Sequence, residues 1–132
     1  MKTRAHLVLF ALLVAAIASR PGSAVEPFHL RLERSAPAED SVVEPPTEIR
    51  LWFSQSTQEN ATTIRLIGED GEPLSTGDLV TTDDRTVHHV PLSGPLAEGR
   101  YTVSWRTMAQ DGHVVRGEFE FTVQTGAGDA ER

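Results

Sequence analysis

The chain has no cysteine, so no disulfide can staple it and stability must come from a hydrophobic core. It has two methionines, Met1 and Met108, too few for the soft thioether cluster that holds Cu(I). Its single lysine is Lys2. Acidic residues outnumber basic ones 19 to 12 and no basic stripe is visible, which argues against a nucleic-acid partner and suits a cation better. Catalytic signatures are missing too. There is no cysteine nucleophile, no G-x-S-x-G elbow, no P-loop and no G-x-G-x-x-G between strand and helix, so an enzyme is not expected. Internal repeats and low-complexity segments are also absent. The scattered acidic residues fall in turns, where a solvated loop accounts for them.

The one long apolar run is at the start. Lys2 and Arg4 precede Ala5–Ala18, apolar apart from His6, and Ser19-Arg20-Pro21-Gly22-Ser23-Ala24 follows. A basic start, about 14 apolar residues and small residues before a cut are the marks of a secretory signal peptide. A membrane-spanning helix needs about 20 apolar residues. Cleavage after Ala24 is expected, leaving residues 25–132 as one soluble, unanchored domain outside the cytoplasm, periplasmic or extracellular. That domain carries all nineteen acidic residues against nine arginines, a formal charge of about −10.

The rest reads as short strands. Ile49, Leu51 and Phe53 alternate with polar or outward positions. So do Ile64 and Leu66, then Tyr101, Val103 and Trp105, then Phe119, Phe121 and Val123. His29–Arg34 and Thr86–Leu92 are weaker candidates. Turn residues separate these runs, as at Glu44-Pro45-Pro46, Gly68–Pro73, Ser93-Gly94-Pro95 and Glu98-Gly99. Ser54–Ala61 has room for one turn of helix at most. About seven strands joined by Gly/Pro turns predict an all-β, antiparallel Greek-key sandwich or barrel.

Histidines carry the chemistry that is left. Asp111 and His113 are two apart, so on extended backbone their side chains share a face, with Gly112 leaving room for an ion. A carboxylate and an imidazole, joined by another imidazole, suit Cu(II), or less well Zn(II). His88 and His89 are adjacent and must point to opposite faces of a strand. One is expected at the core edge and the other in solvent. Asn60-Ala61-Thr62 matches a glycosylation sequon and reads as a plain turn.

Three segments together resemble the CopC family of periplasmic copper-resistance proteins. His29-Leu30-Arg31-Leu32 running into Ser35-Ala36-Pro37-Ala38 is similar to the family's opening. Ile49-Arg50-Leu51-Trp52-Phe53-Ser54 is similar to its I-x-L-x-F-S strand. Pro95–Arg106, Asp111-Gly112-His113 and Gly117–Val123 are similar to its P-L-x-x-G-x-Y-x-V-x-W-R, D-x-H and G-x-x-x-F-x-V elements. The likeness spans roughly residues 29–123.

This resemblance implies an immunoglobulin-like, cupredoxin-like barrel. It also implies one Cu(II) per chain, held by His29, Asp111 and His113 for buffering, resistance or delivery, with a CopD-type inner-membrane protein as receiver. In many members the opening His is the first mature residue and its α-amino group also binds copper. Here Val25–Phe28 precede His29 if the cut follows Ala24. Gln55 stands where some relatives have an acidic residue, and the methionine-rich Cu(I) loop of others is missing. Two other readings are open. A copper oxygenase would need a free amine at His29 and a wide substrate surface. A metal-free immunoglobulin-like interaction module would have kept the fold and lost the site.

Overall fold

Alternating inward and outward residues build two sheets. The computed structural model describes residues 29–126. The expected signal peptide, its cleavage site, Val25–Phe28 and the last six residues lie outside this range. The strands are β1 (Leu32–Ala36), β2 (Val42–Val43), β3 (Glu48–Phe53), β4 (Thr63–Ile67), β5 (Pro73–Leu74), β6 (Val80–Thr81), β7 (Val87–Pro91), β8 (Gly99–Met108) and β9 (Val114–Val123). They pair as β1-β3-β7-β6 in one sheet and β2-β9-β8-β4-β5 in the other, forming a β-sandwich. Among the described residues there is no helix, so Ser54–Ala61 crosses between the sheets as extended and turn backbone.

Two expectations need correction. There are nine strands rather than about seven. Three of the nine, β2, β5 and β6, are two residues long, too short to show a period of two. The pairing is also not wholly antiparallel, because β2 runs parallel to β9. Backbone bonds from Asp40 N–H to the Glu120 carbonyl and from Thr122 N–H to the Ser41 carbonyl fix that parallel entry. All four sheet edges, β1, β6, β2 and β5, have five residues or fewer, which limits the ladder open to edge-to-edge pairing.

The alternation read from the sequence is the core. Ile49, Leu51, Phe53, Ile64, Leu66, Val103, Phe119, Phe121 and Val123 are buried between the sheets. The Phe53 ring meets Trp105 of the opposite sheet edge-on at 5.2 Å, and Tyr101 stacks on Phe121 at 5.6 Å. Tyr101 keeps its hydroxyl satisfied by donating to the Ala97 carbonyl at 2.6 Å. Outside the core, Trp52 faces away from it and lies under Arg34, whose guanidinium is 3.9 Å from the ring centre.

Trp105 explains Gly117 on the neighbouring strand. A Cβ at position 117 would come within 2.7 Å of the indole Cζ2. Gly117→Ala is therefore expected to destabilise the fold by about 1–3 kcal/mol through overpacking. Urea unfolding measures it, and an unchanged midpoint would show that the indole simply moves aside.

Candidate metal site

β8 and β9 form one long hairpin, in register from Gly99↔Val123 to Met108↔Val114. Ala109–His113 close it. Gly112 N–H donates to the Ala109 carbonyl at 2.9 Å, and Ala109 N–H donates to the His113 carbonyl at 2.8 Å. Gly112 has φ +90°, which residues with a Cβ rarely adopt, so this tight turn needs a glycine.

Asp111 and His113 do converge, but through a turn and not through strand alternation. The Asp111 carboxylate folds back over the turn. Its Oδ1 accepts the His113 backbone N–H at 3.0 Å, and its Oδ2 lies 2.8 Å from His113 Nδ1. The backbone bond, then the ring bond, hold the Asp111 carboxyl below its ordinary value, so it stays anionic. A histidine protonated on Nδ1 donates to that carboxylate and turns Nε2 outward as the metal-facing nitrogen. Both side chains are well exposed, 60% for Asp111 and 80% for His113.

His29 sits at the same end of the sandwich. Its carbonyl accepts the Ser54 hydroxyl at 3.5 Å, and Ser54 Oγ accepts Arg31 N–H at 3.0 Å. Ser54 is the residue after β3, and three residues on Thr57 bridges to Ala109 at the root of the Asp111–His113 turn. One short segment thus touches both the His29 stretch and the hairpin loop. Nevertheless, among the described residues no three His, Asp or Glu side chains are gathered closely enough to form a metal-holding group. Asp111 and His113 are brought together, and His29 does not complete a set with them.

Thr57 is what sequence reading missed. It is fully buried, and its carbonyl accepts both Arg85 Nε at 2.9 Å and Gln110 Nε2 at 2.7 Å. Arg85 belongs to the β6–β7 turn, where Asp84 Oδ1 accepts the Thr82 hydroxyl at 2.6 Å and Thr86 N–H at 3.1 Å. Two turns and the crossing segment are thereby fastened to one residue. No periodicity marks a threonine in a loop, so only the tertiary structure reveals it.

The CopC domain model matches residues 32–124. The chain belongs to the CopC family. It is similar to copper resistance protein C of Pseudomonas syringae pv. tomato, 31% identical over 109 residues, covering 77% of this chain and 86% of that protein. The crystal structure of PcoC, a methionine-rich copper resistance protein from Escherichia coli, superposes with a TM-score of 0.64 at 29% identity. That match covers 73% of this chain and 99% of PcoC. Copper transport protein CutJ of Bacillus subtilis is 24% identical over 97 residues, 72% of this chain but 18% of CutJ. CopC proteins are periplasmic copper-binding resistance proteins, not enzymes, and the sequence expectation of a non-enzymatic copper protein holds.

The remaining histidines of this CopC domain point to opposite faces as expected, but His89 is partly buried rather than solvated. It lies 3.6 Å from Glu48. His88 is 2% exposed, with Nε2 3.0 Å from the Thr57 hydroxyl, Nδ1 2.9 Å from the Thr81 hydroxyl, and its ring edge on Phe53. It forms part of the floor of a polar cleft of about 590 Å³ between the 58–62 and 79–85 stretches, which none of the three candidate ligands lines. Thr57→Val removes one of the two ring partners and is expected to cost about 1–3 kcal/mol, because a buried polar atom loses its bond. A full set of unfolding curves on this variant checks it.

Burial pushes the His88 pKa below its ordinary 6.5, more than a backbone hydrogen bond at Arg85 raises it. The unfolded chain therefore takes up a proton near pH 6.5 that the folded chain refuses. Stability from this residue is present above that pH and falls as pH drops below it. Melting temperatures between about pH 5.5 and 8 should show an acid-side decline that flattens in His88→Leu. An equal slope in both proteins would assign the decline to other groups.

Proposed function

We propose that this CopC domain is an exported carrier that binds one Cu(II) at the hairpin end of the sandwich. His113 supplies Nε2 and His29 a second imidazole. Asp111 holds the His113 ring in place and lends it negative charge, or reaches the ion itself if the ring turns. The observation that carries this reading is the 2.8 Å contact between His113 Nδ1 and Asp111 Oδ2 on an exposed tip, at the end where His29 also lies. Carboxylate-oriented imidazoles are a recurrent feature of protein metal ligands. With one methionine beyond residue 1, Cu(II) and not Cu(I) is the cargo.

The role is buffering, resistance or hand-over to a CopD-type inner-membrane transport protein. Hand-over is supported by CutJ, a longer protein named for copper transport in which the matching segment is 18% of the chain. The competing reading, a metal-free immunoglobulin-like interaction module, draws on the lack of a gathered three-residue ligand set among the described residues. Titration of the exported protein with Cu(II) against a competing chelator separates the two. One equivalent bound with a tetragonal nitrogen/oxygen EPR signal supports the carrier. Binding that never saturates at one equivalent supports the module.

A further inference from the structure

Eight arginines fall within the described residues, and four of them are occupied. Arg31 pairs with Glu33 at 3.3 Å and Arg50 with Glu48 at 3.1 Å. Arg34 covers Trp52, and Arg85 donates to Thr57. The Arg100 side chain makes no ion pair or hydrogen bond among the described residues, and it lines two shallow clefts with Glu120. The other three, Arg65, Arg106 and Arg116, are exposed, and their guanidinium groups make no ion pair or hydrogen bond among the described residues. All three line one cavity of about 210 Å³ on the outer face of the five-stranded sheet, together with Thr63, Ser104 and Trp105.

Strand register puts them there. Arg106 on central β8 stands directly opposite Arg116 on β9 and opposite Thr63 on β4. Arg65 stands opposite Ser104, the next outward position along β8. Directly opposed residues have Cβ atoms about 4.5–5.5 Å apart, and like charges at that spacing oppose folding. The chain is acidic, at −7, so the cluster does not follow from a basic composition. Glu118, opposite Ser104, is the nearby carboxylate on this face, and it lies beyond ion-pairing distance of all three. Guanidinium groups are planar forks that match the paired oxygens of phosphate. Two hydroxyls at the same cavity add donors.

We propose that Arg65, Arg106 and Arg116 form a binding site for a phosphate-type oxyanion. The cavity is small enough to take one such group and too small for a nucleotide. The group comes either from free phosphate or from a phospholipid headgroup. This proposal stands on the arginines alone and is independent of the copper reading.

Inorganic phosphate at matched ionic strength with chloride is the first probe, read by amide NMR shifts and by melting temperature on the copper-free protein. Saturable shifts at Ser104–Arg106 and Arg116–Gly117 are expected, with a raised melting temperature. Arg106→Gln and Arg116→Gln should each weaken binding at least about tenfold. In chloride alone they should melt no lower than the parent, because a repulsion has been removed. Phosphatidylglycerol vesicles, compared with phosphatidylcholine, then separate the sources. Sedimentation with the anionic vesicles that both variants lose assigns the site to lipid phosphate, and its absence assigns it to the free ion. Linear, non-saturating shifts, or equal binding by parent and both variants, would overturn the proposal.

Discussion

His113→Ala and His29→Ala are each expected to weaken Cu(II) binding by at least about 100-fold, and Asp111→Asn by about 10–100-fold. The difference follows from role. An imidazole nitrogen that meets the ion has no substitute, whereas Asp111 acts on His113 through a bond that an amide can partly imitate. All three residues are exposed and lie outside the core, so melting temperatures should stay close to the parent's. Acid should release the metal, because protons compete for imidazole nitrogen. Asp111 is not the group that fails first, since its carboxyl is held below the usual carboxylate range. Competition titrations on the three variants, with unfolding curves alongside, decide it. A His113→Ala protein that keeps parental affinity would remove the hairpin from the site.

Phe53→Ala should have the largest effect on stability, about 3–5 kcal/mol. Phe53 is the last residue of β3 and only 4% exposed. Its ring spans the two sheets by meeting Trp105 and also lies against His88. Removing it opens a cavity under the end of the sandwich that bears the candidate ligands. Domains of this size are stable by about 5–15 kcal/mol, so much of the total is at stake. Melting should fall by about 12 °C or more. Copper affinity should drop as well, since Ser54, which holds the His29 carbonyl, follows Phe53 directly. That secondary loss distinguishes Phe53→Ala from His113→Ala, which should lose copper and keep its stability. A cost below about 1 kcal/mol would mean that neighbouring side chains fill the space.

Long strands were legible because burial on one face writes a period of two into them. Ile49, Leu51 and Phe53, and likewise Phe119, Phe121 and Val123, are the buried residues that alternation had marked. Two-residue strands such as β5 and β6 have no period to read, and the parallel β2–β9 pair depends on how the chain returns at Asp40–Ser41. The Asp111–His113 pairing was expected, though for a different geometry. Spacing of two suggested a shared strand face, whereas a glycine turn and a capping carboxylate produce the contact. His29 was identified through its family likeness, and the fold places it at the hairpin end without gathering it to the other two. Thr57 and the arginine cluster were invisible beforehand. The first depends on bonds from residues 28 and 53 positions away, and the second on the register of three strands.

Histidines from two distant parts of the chain are proposed to hold one copper ion. Pulsed EPR of the protein loaded with a single equivalent of Cu(II) tests this most directly, by counting imidazole remote nitrogens coupled to the ion. Two are expected in the parent, and one in each of His29→Ala and His113→Ala at loadings high enough to force binding. Two imidazoles in all three proteins, or none in the parent, would contradict the site.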